Sequence, residues 1–379
     1  MTITAQQSTT KQLTAKQWLT QIKGLNLSSK IRIMNVCGGH ERSISMAGLR
    51  GVLPKEVELI PGPGCPVCIC PEEDIYDAIQ LALHNEITLV TFGDMLRVPV
   101  NVANSEIRSL EQAKVAGADI KPIASPIDAV RIATEQPGRH VVFFAAGFET
   151  TMAPVAGMLA GGVPDNLLVL LSGRLTWPAV SMLLDSETRG FDALIAPGHV
   201  ATVMGSEEWQ FVVNKHGIPA AVAGFTPQSL LAAFYSVLRQ HTENRKFLDN
   251  CYPEVVTAQG NMNAKKILYK VMDTVDANWR GVGMISKSGF VLNNDYAVYD
   301  ARRHFSLFKE NTQRKRVGEM PPGCDCAQVV LGKIYPNECR IFGKGCTPRK
   351  PIGPCMVSDE GACRIWWRGG GAQRENVSV

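Results

Sequence analysis

The stretch HVVFFAAGFETT, residues 140–151, decides the fold class. After His140, residues 141–146 are apolar without alternation, the pattern of a strand covered on both faces in a parallel sheet. The chain then turns at Gly147, and a helix over 151–159 follows. Runs of the same kind occur at 31–36, 58–60, 87–92, 167–171, 193–196 and 220–223, with helical spacing at 72–83, 126–134, 177–184, 202–215 and 229–239. Alternation of this type predicts α/β units whose parallel sheets are covered by helices. The loops after the strands carry the unusual residues, Cys37-Gly-Gly-His40, Gly147–Thr151 and Pro197-Gly-His199. Ligand sites gather at the carboxyl ends of such strands.

A chain of 379 residues, 45% hydrophobic, is long enough for two or three cores. Its net charge of +4 gives nucleic acid no electrostatic footprint. The longest apolar region, 155–171, is interrupted by Gly157, Gly161, Gly162, Pro164, Asp165 and Asn166, so no membrane span is expected. Residues 1–31 lack acids, arginine and a continuous apolar core; they read as a frayed terminus entering a short helix near 15–22. A cytoplasmic location is expected. The polar, proline-marked stretch 121–126 reads as a separator between two α/β units. After Arg302, basic Arg314, Lys315 and Arg316 lead into a Cys/Gly/Pro-rich region with little periodicity.

Eleven cysteines clustered in this way point to metal or redox chemistry instead of a disulfide framework. Six of them, Cys324, Cys326, Cys339, Cys346, Cys355 and Cys363, lie in the tail. Only Cys324 and Cys326 are closely paired, so the repeated short pairs of zinc sites are absent, as is bacterial ferredoxin spacing. Between Cys324 and Arg368 seven Lys/Arg face four acids, surroundings that suit an anionic iron–sulfur cluster. Zinc, paired thiols and free thiols are the other readings.

Two front motifs carry further chemistry. In Gly62-Pro-Gly-Cys65-Pro-Val-Cys68-Ile-Cys70-Pro71 the C-x-x-C spacing permits a reversible disulfide. The following helix N-terminus can activate a thiol, opposed by Glu72, Glu73 and Asp74; half of a zinc site is the alternative. In Cys37-Gly-Gly-His40-Glu41, a Cys and a His three apart can share a metal or act as nucleophile and base, or be a buried thiol beside a capping histidine. Glu149 is either a carboxylate aimed at a cleft or a favourable first-turn acid. His199 is open in the same way, and Cys251 reads as a lone small hydrophobe.

Together with Pro197-Gly-His-Val200, Cys346-Thr-Pro and Gly353-Pro-Cys-Met-Val-Ser-Asp-Glu-Gly-Ala-Cys363, these motifs resemble the HypD family, maturation factors for the active-site iron of nickel–iron hydrogenases. The resemblance runs from about residue 30 to about 367. It implies two similar parallel-sheet α/β domains facing a cleft, plus a small cysteine-rich iron–sulfur domain. On that plan, 26–120 with 225–300 form domain I, with Cys37 and the CPVC motif; 121–224 form domain II, with GFETT; and 1–25 with 301–379 form the iron–sulfur domain. Many members carry a second histidine two positions after the first. Arg42 stands here, so no role of that histidine is carried over.

The resemblance also implies a [4Fe-4S] cluster on Cys324, Cys339, Cys346 and Cys363, with Cys355 as the strongest substitute. Cys326 or Cys355 is otherwise a redox thiol near the cluster, as in ferredoxin–thioredoxin reductase. The implied partners are a HypC-type chaperone, a HypE-type donor carrying cyanide as thiocyanate and, indirectly, the hydrogenase large subunit. The implied product is mononuclear iron bearing two cyanides and one carbon monoxide. Soft thiolates suit such iron, which makes Cys37 a ligand and His40, Cys65, Cys68 and Glu149 the candidate working groups. The rival classes are a plain thiol–disulfide oxidoreductase and a zinc-stapled binding scaffold.

Overall fold

A computed structural model describes residues 13–103, 105–186, 190–305 and 320–370. Its strands are β1 (Ile31–Asn35), β2 (Val57–Pro61), β3 (Ile87–Phe92), β4 (Ile120–Ile123), β5 (His140–Gly147), β6 (Leu167–Arg174), β7 (Ala193–Pro197), β8 (Ala220–Ala223), β9 (Leu248–Asn250), β10 (Met272–Trp279) and β11 (Gly283–Leu292). They make two sheets. One, ordered β2-β1-β7-β8-β9, is parallel throughout. The other, ordered β10-β11-β6-β5-β3-β4, is parallel from β6 to β4 and ends in the antiparallel β10–β11 hairpin. Counted within each sheet, the parallel strands follow one scheme: the second strand flanks the first, and later strands add on the opposite side. The α/β class with two parallel-dominated sheets is therefore as expected.

Strand periodicity explains the layering. Ile31 and Ile33 of β1 face one apolar cluster, and Met34 and Val36 face another. In β5, Val141, Phe143 and Ala145 join the cluster shared with the first sheet. Val142, Phe144 and Ala146 point to the opposite face, which is covered by residues 65–70 and by the cysteine-rich tail. The two sheets thus share one core, and the tail lies on the outer face of the second sheet. No helix among the described residues is long and apolar enough to cross a membrane.

Helices used below are α1 (Ala15–Lys23), α2 (Gly38–Met46), α3 (Glu72–Ala82), α4 (Glu149–Ala160), α5 (Pro227–Thr242) and α6 (Ala362–Arg368). Several expectations need correction. β3, β10 and β11, expected in domain I, belong to the second sheet; β7, expected in domain II, pairs with β1. Apolar runs reveal buried strands but not which sheet receives them. Residues 1–25 do not group with the tail as far as they are described, since Ile22 of α1 packs with Ile31, Leu230 and Phe234. The separator at 121–126 is edge strand β4 followed by a helix capped by Ser125, and Pro122 is tolerated because the strand is an edge. The helix expected over 202–215 breaks at Gly205, whose φ of +96° and blocked Cβ position admit only glycine. Arg314, Lys315 and Arg316 lie outside the described residues.

The placement of α1 predicts that Ile22→Ala costs ~2–5 kcal/mol in urea unfolding, as for other buried large-to-Ala changes, without altering alkylation rates of the tail cysteines. Faster tail labelling at equal stability would return α1 to the tail.

Candidate thiol and metal site

β1 and β2 are neighbours, so the loops leaving them run side by side. Gly62 N donates to Asn35 O at 2.9 Å and Gly38 N donates to Gly64 O at 3.1 Å. A Cβ on Gly64 would fall on the Cα and N of Cys37, so the two backbones approach this closely only because residue 64 is glycine. Cys37 is the extended N-cap residue of α2. Cys65 caps the short helix Pro66–Ile69, its Sγ accepting from Cys68 N at 3.2 Å, and forms a disulfide with Cys68 across a Cα–Cα distance of 5.3 Å.

The tail closes this corner from a third side. Gly38 lies against the backbone and Cβ of Glu360, where a side chain on residue 38 would clash. Cys37, Cys65, Cys355, Glu41 and Glu360 line one narrow cleft. Glu41 is buried and accepts from Arg50 Nη2 and Trp366 Nε1, both at 2.7 Å, while the Arg50 guanidinium sits 5.1 Å above the Trp366 ring. Ser358 Oγ donates to Asp94 Oδ2 at 2.9 Å, tying the tail to the end of β3.

Burial sets the protonation states. It pushes the Cys37 thiol up to about 12, with Glu360 adding to the effect, so Cys37 is a thiol at neutral pH and a thiolate only when a metal takes the proton's place. Burial lowers His40 to about 4. The neutral ring donates Nε2–H to Ala223 O at 2.9 Å, leaving Nδ1 as a buried acceptor without a partner. Phe225 packs beside His40 at 4.9 Å and stacks on exposed His199 at 3.7 Å, so His199 reaches the same corner through an aromatic ring.

Glu149 is elsewhere. It is fully buried at the start of α4, accepts from Thr176 N at 2.6 Å and Thr176 Oγ1 at 2.7 Å, and is not among the residues lining the Cys37 cleft. Burial raises its carboxyl to about 7.

In the tail, the Sγ atoms of Cys326, Cys355 and Cys363 lie within 4.8 Å of one another, and this buried triad can hold a metal. Cys324 Sγ is 3.3 Å from Cys326 Sγ. Cys346 Sγ accepts from Ile352 N at 3.3 Å, and Cys339 Sγ lies 4.0 Å from Gly323 O. The Sγ atoms of Cys324, Cys326, Cys355 and Cys363 thus gather, and Cys339 and Cys346 lie in the same apolar cluster. A Cβ on Gly353 would strike the Sγ atoms of Cys324 and Cys326. A donor set made only of thiols suits zinc or an iron–sulfur group and not a hard cation.

Some groups were not anticipated. Cys70 is buried beside Ser172 Oγ at 3.4 Å, and burial, with Asp74 adding, pushes its thiol up to about 12. Its place two residues after Cys68 was the available signal. Arg280, Arg50 and Trp366 gave none, because their roles depend on distant segments.

The family model described as "Hydrogenase formation hypA family", named HypD, matches residues 13–370. Among curated proteins the chain is 41% identical over 346 residues to hydrogenase maturation factor HypD2 of Bradyrhizobium diazoefficiens, covering 89% of this chain and 88% of that one. It is 39% identical to hydrogenase maturation factor HypD of Rhodobacter capsulatus, covering 92% of each. It is 38% identical to that of Escherichia coli, covering 89% of each.

Glu149 yields a pH test. Its folded-state pKa of about 7 lies above the ordinary 4.5, so its contribution to stability is full below pH 4.5 and is lost as pH rises through 7. The loss is on the order of 3 kcal/mol. Urea unfolding across pH 4.5–8 should show this slope in the wild type, and Glu149→Gln should flatten it. Equal slopes would mean that the carboxyl titrates as if exposed.

Proposed function

The chain belongs to the HypD family of hydrogenase maturation factors, and on that footing we propose that it is the scaffold on which iron acquires cyanide and carbon monoxide. The observation that supports this reading is the convergence of Cys37, Cys65 and Cys355 on one cleft. Iron enters as substrate. Cys37 binds it through Sγ, giving up the proton that burial otherwise retains, and a HypC-type chaperone supplies another soft donor. Neutral His40, its Nδ1 open, fixes the geometry or accepts that proton.

Cys65 and Cys68 act on the thiocyanate brought by a HypE-type donor. One thiolate attacks the thiocyanate sulfur; an S–S bond forms, the S–C bond breaks and cyanide ion leaves. The second thiol of the pair, as thiolate, displaces the donor's thiolate and closes the Cys65–Cys68 disulfide, whose reduction needs two electrons and two protons. A [4Fe-4S] cluster, for which Cys324, Cys339, Cys346 and Cys363 are the proposed holders, supplies electrons one at a time when bound. Cys355 lines the Cys37 cleft with Cys65 and belongs to the buried thiol triad, which supports it as the thiol that exchanges with the Cys65–Cys68 pair, with Cys326 as the alternative. The finished iron goes, in the cytoplasm, to the hydrogenase large subunit. Glu149 remains a working-group candidate in this proposal, with no step assigned to it.

One observation favours a second reading: the closed Cys65–Cys68 disulfide also fits a thiol–disulfide oxidoreductase that loads no iron on Cys37.

Protein purified without oxygen together with its chaperone should contain iron and sulfide and show cyanide and carbonyl infrared bands. Cys37→Ala should keep the iron–sulfur absorption and lose those bands; if they persist, Cys37 is not the ligand. Bands missing from the wild type, with disulfide reduction intact, would favour the oxidoreductase, and zinc without sulfide a stapled scaffold. Cys65→Ala and Cys68→Ala should retain tail absorption yet yield no mature iron. A normal maturation rate in either would point to direct attack of iron on the thiocyanate carbon.

A further inference from the structure

Asn35 ends β1, two residues before Cys37, and lines the same cleft as Cys37, Cys65 and Cys355. The residue is 1% exposed, yet neither Oδ1 nor Nδ2 has a hydrogen-bond partner among the described residues. The main chain around it is already committed: Gly62 N donates to Asn35 O at 2.9 Å, and Val36 N donates to Ile195 O at 3.1 Å. Strand alternation puts residue 35 on the face of Ile31 and Ile33, which pack with Ile44 of α2. Gly38 and Glu41, in the first turn of that helix, line the cleft as well. The carboxamide thus stands at the carboxyl end of a parallel strand, where ligand sites form.

Burying a carboxamide with both ends unpaired is costly, and native folds keep such a group where a ligand or an ordered water completes it. Among the described residues that line the cleft, Asn35 alone has a side-chain N–H; the other polar side chains are cysteines and the carboxyl groups of Glu41 and Glu360. An anion arriving in this corner has one side-chain amide to receive it. Cyanide is such an anion, and its nitrogen keeps a lone pair for a hydrogen bond when its carbon binds iron. The oxygen of carbon monoxide is a poor acceptor. Resting on the reading that iron acquires cyanide at Cys37, we propose that Asn35 holds the nitrogen end of cyanide, its Nδ2–H donating to the ion on the iron at Cys37. No internal bond fixes which end of the carboxamide faces the cleft, so the –NH2 group is free to turn to an acceptor. A ligand that cannot accept leaves that group unpaired and is disfavoured. Asn35 thereby marks one coordination position on the iron for cyanide and against carbon monoxide.

The test is infrared spectroscopy of the full chain purified without oxygen together with its chaperone, with iron assayed on each sample. In Asn35→Leu and Asn35→Ala, which lack the donor, at least one cyanide band should move to lower frequency or lose intensity at equal iron. The carbonyl band should follow to lower frequency, because a cyanide nitrogen without its hydrogen bond leaves more electron density on the iron. Asn35→Thr, which keeps one donor in a side chain suited to a strand, should restore part of the wild-type spectrum. Asn35→Leu, close in shape and without either polar group, should leave the urea midpoint of the ligand-free chain at or above the wild-type value. Unshifted bands of full intensity in the Leu and Ala variants overturn the proposal and leave the loading of iron at Cys37 standing. A lowered Leu midpoint beside such bands assigns the carboxamide to an ordered water only. If Asn35→Leu does not fold, Asn35→Ala decides alone by the same bands. A wild-type complex without cyanide bands removes the loading of iron at Cys37, and the role of Asn35 with it.

Discussion

Backbone lies against backbone where Gly64 passes Cys37, with no room for a Cβ between them, and the rest of the site is organised around that contact. The pairing of β1 with β2 brings the loops to the same end of the sheet, and the Gly38 N to Gly64 O hydrogen bond sets their register. Cys65 follows Gly64 directly, so the position of its sulfur relative to Cys37 is settled by main-chain geometry before any side-chain rotamer is chosen. The tail uses the same device, with Glu360 resting on Gly38. Three chain segments meet without intervening side chains, which lets three cysteines share one narrow cleft.

That closeness is accompanied by dryness. Cys65, Cys68, Cys70 and the tail sulfurs lie among apolar side chains of the second sheet's outer face, and Cys37 is buried at the end of β1. In such surroundings the Cys37 and Cys70 thiols keep their protons, and ionisation there is coupled to the arrival of a metal or an electrophile. The buried charges nearby are tightly placed: Glu41 between Arg50 and Trp366, Asp74 among Ser172, Arg174 and Arg302, Glu72 beside Arg280. Removing one member of such a set leaves its partner uncompensated.

Much of this was readable from residue order. The seven apolar runs are all strands, and the strand-end loops at 37, 147 and 197 all lie where the parallel strands end. Edge strands β4 and β9 escaped notice because they are short and polar or proline-bearing, and β10–β11 because polar residues interrupt any continuous apolar run in it. Assignment of strands to sheets failed because the chain crosses between the sheets twice, after β2 and after β6, and then returns once more with β10, and nothing local to β3 or β7 records its neighbour. Within the site, the Cys37 and C-x-x-C motifs were legible as separate chemistries, but their shared cleft was not. It depends on Glu360 and Cys355, which approach only in three dimensions. Glu149 was legible as a residue of interest, and its two bonds to Thr176 depend on β6 lying beside β5.

The cleft joins residue 37 to residue 360, which gives it a place in time as well as in space. Ribosomes add about 5–20 residues per second, so the loops at 37 and 65 emerge tens of seconds before the segment that covers them. During that interval the front sheets can fold while Cys37, Cys65 and Cys68 stay open to whatever oxidant or metal is nearby. The nascent chain is therefore most vulnerable at the groups the finished protein shields best. Docking of the last helix, with Trp366 on Glu41 and Glu360 on Gly38, closes the site and ends that exposure.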